Sequence, residues 1–260
     1  MRRLVSRSRR GAPVVFVRSL ALLFAIVGAF VAGPASAGNG ASPESAAVAP
    51  ARATQVVELD AEDPPIFGVA PVSSDAARAT FVYLHGVCGL TMNGCGHFAS
   101  APGWLVCPQA NSTCANGGAS WAGSVEEKIA SVDRALDAAH ARWPESARAP
   151  VVLVGFSQGA YVAMDIARAR PGRYAGLLLL GADTGSAVDR IRAARVARVG
   201  LVCGAYDMMF PKMRDTPQVL ALFGVSARFA SLGHVGHTYV GGGNDAVLTS
   251  MLAWLVEPEA

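Results

Sequence analysis

Residues 151–164, "VVLVGFSQGAYVAM", constrain the fold of this chain more than any other stretch. A continuous apolar run meets Gly155-Phe156-Ser157-Gln158-Gly159, and an alanine-rich helical pattern follows. An unbroken apolar run is what a strand buried on both faces requires, and such strands belong to parallel sheets covered by helices. The two glycines let the backbone turn tightly and approach its neighbours where larger side chains would block it. The rest of the chain repeats the strand–helix alternation. Strand patterns fall at 79–84, 103–107, 150–155, 174–181, 198–204 and 226–232, with earlier candidates between 56 and 79. Helical patterns fall at 124–143, 158–170, 186–197, 217–224 and around 243–256. Ser124 stands as the N-cap of the first of these, with Glu126 and Glu127 favoured near its N-terminus. Short links between alternating elements predict one α/β domain over 56–260, a mostly parallel central sheet with helices on both faces.

The first 37 residues read as a signal peptide. Arg2, Arg3, Arg7, Arg9 and Arg10 make a basic stretch ahead of the apolar run "SLALLFAIVGAFVA" at 19–32, and Ala35-Ser36-Ala37 offers a small-residue cleavage site. The apolar core is short for a bilayer span of roughly 20 residues, so cleavage after Ala37 is expected rather than a stable membrane anchor. Residues 38–55, rich in Ala, Gly, Ser and Pro, read as a flexible leader. The whole chain has 22 basic and 19 acidic residues, and six of the basic ones but no acid lie in 1–37. The remaining chain is therefore near −3 and lacks the basic footprint that nucleic acid requires. A secreted or periplasmic location follows from this reading.

Ser157 sits on a strand-to-helix turn, where the start of the helix favours a developing anion. A serine hydroxyl needs a base to take its proton and an acid to orient that base. At an elbow of this kind the partners follow in the order serine, acid, histidine. Asp207, just after the strand at 198–204, is the preferred acid. Asp183 after the preceding strand is its rival, with a loop-turn or helix-cap role as the alternative. Of five histidines only His234 and His237 follow the acid. Both follow a glycine. His237 is preferred because it lies further beyond the strand end and just before the final helix. The oxyanion needs two backbone donors, expected from Gln158 and from Val87 in the loop "HGVCG". His85 in that loop is expected to shape it by hydrogen bonding. Trp121 either lines a substrate pocket or packs under its loop.

"LHG" after a strand, "GFSQGA" at the elbow, "GAYD" after a later strand and "GH" near the end together resemble the α/β-hydrolase superfamily. "LHGVCG" and "GFSQGA" are most similar to its phospholipase/carboxylesterase branch, which includes acyl-protein thioesterases and dienelactone-hydrolase-like enzymes. The resemblance covers roughly residues 79–255. It implies an eight-stranded, mostly parallel sheet, Ser157, Asp207 and His237 as the triad, and hydrolysis without a cofactor. About sixteen residues link the strands ending at 181 and starting at 198, which leaves room for little or no cap domain. The implied activity is that of an exported serine carboxylesterase acting on a small-molecule or polymeric ester. A serine peptidase on the same triad and a non-catalytic binding protein of the same fold are the alternatives.

The cysteine-rich loop after "LHGV" departs from that branch. Cys88, Cys95, Cys107 and Cys114 crowd into one stretch, and Cys203 stands alone in an apolar strand. In an exported protein the four read as two disulfides and the fifth as a buried thiol. Sequence-local closure favours Cys88–Cys95 and Cys107–Cys114. A metal site using these cysteines and His97 lacks a close Cys-x-x-Cys knuckle, so no metal is expected.

Overall fold

The computed structural model describes residues 55–73, 77–241 and 244–258. The expected signal peptide, and the leader up to residue 54, lie outside the described residues. Among the described residues ten strands occur in chain order: β1 (Val57–Asp60), β2 (Ile66–Val69), β3 (Ala79–Leu84), β4 (Gly103–Pro108), β5 (Ser112–Thr113), β6 (Ala119–Ser120), β7 (Val151–Phe156), β8 (Gly176–Leu180), β9 (Arg198–Cys203) and β10 (Ser226–Ser231). Eight of them form one sheet in the order β1-β2-β4-β3-β7-β8-β9-β10, while β5 and β6 pair in a small hairpin. From β4 to β10 all neighbours run parallel; β1 and β2 add an antiparallel edge.

Side chains of the central strands alternate between two apolar layers, as a two-residue period demands. In β3, Phe81 and Tyr83 join one core, and Val82 and Leu84 the other. α2 (Val125–Arg142), α3 (Gln158–Ala169), α4 (Val188–Ala194) and α5 (Phe210–Ala221) cover the Val82 face. α1 (Thr91–Gly96) and α6 (Asn244–Leu255) cover the other. A reciprocal capping box starts α2: the Glu127 amide donates to Ser124 Oγ at 3.2 Å, and the Ser124 amide donates to Glu127 Oε2 at 2.6 Å.

Two helices depart from the sequence reading. α1, "TMNGCG", carries two glycines and no apolar period, so nothing local announces it. α5 begins at Phe210 rather than at Pro217, which lies inside it. Proline is a good first-turn residue, and here that place is taken by Pro211. Buried Met213, Thr216 and Leu220 carry the helix past Pro217 at helical spacing. Between β8 and β9 the chain holds one short 3-10 turn (Gly185–Ala187) and α4, with no inserted cap.

Candidate active site

The elbow is built by close backbone approach. A Cβ on Gly155 would lie 2.4 Å from the Gly159 carbonyl oxygen, and one on Gly159 would lie 1.9 Å from that of Leu84. Neither position admits a side chain while β3, β7 and α3 keep their packing. Ser157 between them has φ 52° and ψ −117°, a left-handed conformation that a non-glycine residue seldom adopts. Its amide donates to the Leu180 carbonyl of β8 at 2.9 Å, which pins the turn to the sheet edge.

Two further loops bring partners to this serine. Ser157 Oγ donates to His237 Nε2 at 2.9 Å, and His237 Nδ1 donates to Asp207 Oδ2 at 2.6 Å. The Asp207 side chain is 1% exposed, whereas that of His237 is 47% exposed. Asp207 Oδ1 also accepts from the Met209 amide at 2.9 Å. Thus the carboxylate is buried yet has a donor on each oxygen, which is what a buried charge requires. The loop after β9 and the loop after β10 are zipped together: the Ala205 amide donates to Gly233 at 2.8 Å, and that of Tyr206 to Val235 at 3.0 Å. Aspartate and histidine therefore ride on one joined surface. Gly181 (φ 56°) makes room for the pair, since a Cβ there would lie 3.0 Å from His237 Cε1 and 3.2 Å from Asp207 Oδ2.

The remaining candidates fall in different places. His234 stacks on Tyr206 at 5.4 Å, on the exposed side of the joined loops. Asp183 binds Lys212, whose ammonium holds its carboxyl below the ordinary value, and accepts from the Ser186 amide. That is a loop-shaping role. Buried Cys203 is the one free cysteine among the described residues; burial first, then the nearby Asp207 carboxylate, push its thiol up to about 12.

The loop after β3 lies against the elbow, with a Cβ on Gly86 falling 3.3 Å from that of Ser157. His85 shapes this loop from inside: it is 1% exposed, Nδ1 donates to the Gly86 carbonyl, and Nε2 accepts from the Ala110 amide. Burial pushes its pKa down, against a smaller upward pull from the Gly86 carbonyl. Val87 follows on the surface, bordering a cleft beside Ser157. Gln158 opens α3, where the first backbone donors have no intrahelical partner.

Trp121 needs a correction. It lines neither cleft beside Ser157; it is 5% exposed and packed in the core. Its indole donates to the His85 carbonyl at 3.0 Å, and its amide and carbonyl both bond the Gln158 side chain. An indole with a buried donor goes where an acceptor waits, and here that acceptor is the loop it supports.

The disulfide pairing needs another. The bridges are Cys88–Cys114 and Cys95–Cys107, with Cα separations of 5.6 and 5.9 Å. Local closure fails because α1 turns Cys95 into the core, where Cys107 of β4 waits on the same face of the sheet. Cys88 stays in the loop, beside the β5–β6 hairpin. There the Ala119 amide donates to Gly89 at 3.0 Å, and Asn116 Nδ2 donates to the Cys88 carbonyl at 3.3 Å. Sequence reading missed the unheralded helix, and with it the pairing. It also missed Gly181 and the Gln158–Trp121 clamp, which carry no local signal.

Neither a family model nor a curated protein sequence matches the chain. Solved structures do. TT1662 of Thermus thermophilus aligns over 79% of this chain and 99% of its own at 19% identity, with a TM-score of 0.56. FphF, a fluorophosphonate-binding serine hydrolase of Staphylococcus aureus, aligns over 79% and 99% at 16% identity and 0.55. The Bacillus cereus carboxylesterase aligns over 73% and 92% at 12% identity and 0.51. With its eight-stranded mixed sheet, helices on both faces and these neighbours, the chain has the α/β-hydrolase fold.

Proposed function

We propose that this protein is an exported serine carboxylesterase that works through an acyl-enzyme on Ser157. The observation that carries the reading is the run of hydrogen bonds from Ser157 Oγ through His237 to buried Asp207. Ser157 attacks the ester carbonyl while His237 Nε2 takes its proton, and Asp207 holds the Nδ1–H tautomer and stabilises the imidazolium. The Val87 and Gln158 amides receive the oxyanion, each such donor contributing roughly 10²–10³ in turnover. His237 then protonates the departing alcohol, and water repeats the sequence on the acyl-enzyme. Solved neighbours named as a carboxylesterase and a serine hydrolase support this over a peptidase or a silent binding protein. Labelling by a fluorophosphonate probe, lost in Ser157→Ala, together with hydrolysis of p-nitrophenyl esters over peptide amides, is the expected result. A folded protein that neither labels nor turns over esters would end the proposal.

Export rests on the signal-like first 37 residues and on the two disulfides, which suit an oxidising compartment. Among the described residues no helix is long and apolar enough to cross a membrane. Mass spectrometry of protein recovered from an exporting host should find Gly38 at the N-terminus. An intact residue 1–37 segment on that protein would refute cleavage.

A further inference from the structure

Two clefts lie at the elbow, one lined by Gly86 and by Phe156, the neighbour of Ser157, and the other by Ser157 itself. One, of about 350 Å³, is walled by Val87, Leu90, Phe156, Tyr239 and Val240, with the oxyanion loop along its edge. The other, of about 540 Å³, holds Ser157 and His237 and is walled by Tyr161, Tyr206, Met208 and Met209. Among the described residues no Lys, Arg or Glu lines either cleft, and the lone aspartate there, Asp207, is buried behind His237. The histidines of the first cleft are His85, sealed in the loop with both nitrogens bonded, and His97, edge-on to Tyr239.

The rims are unusual in another way. Ten large apolar side chains are exposed among the described residues. Five of them border these clefts: Val87 at 59%, Leu90 at 53% and Val240 at 45% on the first, Tyr206 at 71% and Met208 at 81% on the second. Single exposed apolar residues need no explanation, but a concentration around one opening marks a surface that an apolar ligand covers. Tyr206 is steadied by its stack on His234, so it offers a fixed aromatic wall. The Met208 and Met209 thioethers beside it adapt to varied shapes and contact ring edges favourably.

The chemistry tells the clefts apart. The leaving oxygen takes its proton from His237 Nε2 and must lie within hydrogen-bond reach of it. His237 belongs to the second cleft, which therefore receives the leaving group. The acyl group is left to the first, beside the oxyanion loop. We infer that the substrate is an uncharged ester, apolar on both sides of the scissile bond. Its alcohol or phenol is seated in the Tyr206–Met208 cleft and its acyl group in the Val87–Tyr239 cleft. This rests on the esterase reading above.

The test is kinetic and uses the purified protein, its active fraction fixed first by fluorophosphonate titration of Ser157. In one series the acyl group is held at acetate while the alcohol runs through ethyl, butyl, benzyl and choline. In the other the alcohol is held at ethyl while the acyl group runs through acetate, butyrate, hexanoate and succinate monoester. Benzyl over ethyl acetate, and butyrate over acetate, should each gain roughly 10-fold in kcat/KM. Choline and succinate esters should fall below their uncharged counterparts. Met208→Ser should shrink the benzyl-to-ethyl ratio, and Leu90→Ser the butyrate-to-acetate ratio. Crossed effects, with Met208→Ser acting on the acyl series, would reverse the assignment of clefts. Charged esters turned over as well as neutral ones would overturn the substrate class. Either result on protein that titrates fully with the probe leaves the esterase reading standing; absence of labelling would defeat that reading instead.

Discussion

Ser157 holds a backbone conformation that costs a non-glycine residue about 1–3 kcal/mol. The strain keeps its hydroxyl forward of the sheet edge, in reach of His237. Ser157→Gly should therefore abolish activity and raise stability by about 1 kcal/mol, relieved strain exceeding the added freedom of the unfolded chain. Ser157→Ala should lose the same activity without that gain, and paired urea titrations compare the two. Asp207→Asn should cost turnover heavily, since the same change in a Ser-His-Asp protease costs about 10⁴. By contrast Asp183→Asn removes only a partner of exposed Lys212 and should leave turnover near the parent value. Steady-state kinetics on both folded variants decides. Much of this was legible in sequence, because an apolar strand, a Gly-x-Ser-x-Gly turn and an acid after a later strand are local patterns. What separates His237 from His234 is not local: it is the zipper between the loops after β9 and β10, which aims one ring at Ser157 and leaves the other on Tyr206.

The elements were readable where apolar periodicity runs long and obscure where it does not. β7 stands out in sequence as an unbroken apolar run, and α2 because its buried residues repeat at three-to-four positions. α1 has no such pattern; it is held by what it packs against, including its bridge to β4. The two disulfides consequently divide their labour. Cys95–Cys107 ties a helix without intrinsic preference to the core, whereas Cys88–Cys114 tethers the segment that bears Val87. Replacing Cys95 and Cys107 by serine should lower stability by about 3 kcal/mol, as loss of a short closed loop predicts, with activity retained in the folded fraction. The Cys88 and Cys114 double replacement opens a longer loop, so it should cost at least as much stability and in addition lower kcat by loosening the loop that bears Val87. Denaturation curves and kinetics on both double variants check the contrast; equal effects on kcat would contradict it.

For the whole molecule, buried His85 sets an acid limit. Its folded pKa lies below the ordinary 6.5, so the unfolded chain binds the proton more readily. Its contribution is fully present above pH 6.5 and is lost as pH falls from there toward the folded value. The urea midpoint should drop between pH 7.5 and 5.0, and drop less in His85→Gln, which cannot take up the proton. An equal drop in both would place the acid sensitivity elsewhere. The bridge pattern has a consequence of a different sort. Cys88–Cys114 encloses Cys95–Cys107, so the two are nested, and a chain made N-terminus first presents Cys88 and Cys95 together before either true partner exists. The earliest encounter is the mismatched one, the same pair that sequence proximity suggests. Yield of active protein should then depend on a helper that reshuffles disulfides as well as on an oxidant. A host that supplies only the oxidant would accumulate well-exported, fully oxidised and inactive chains.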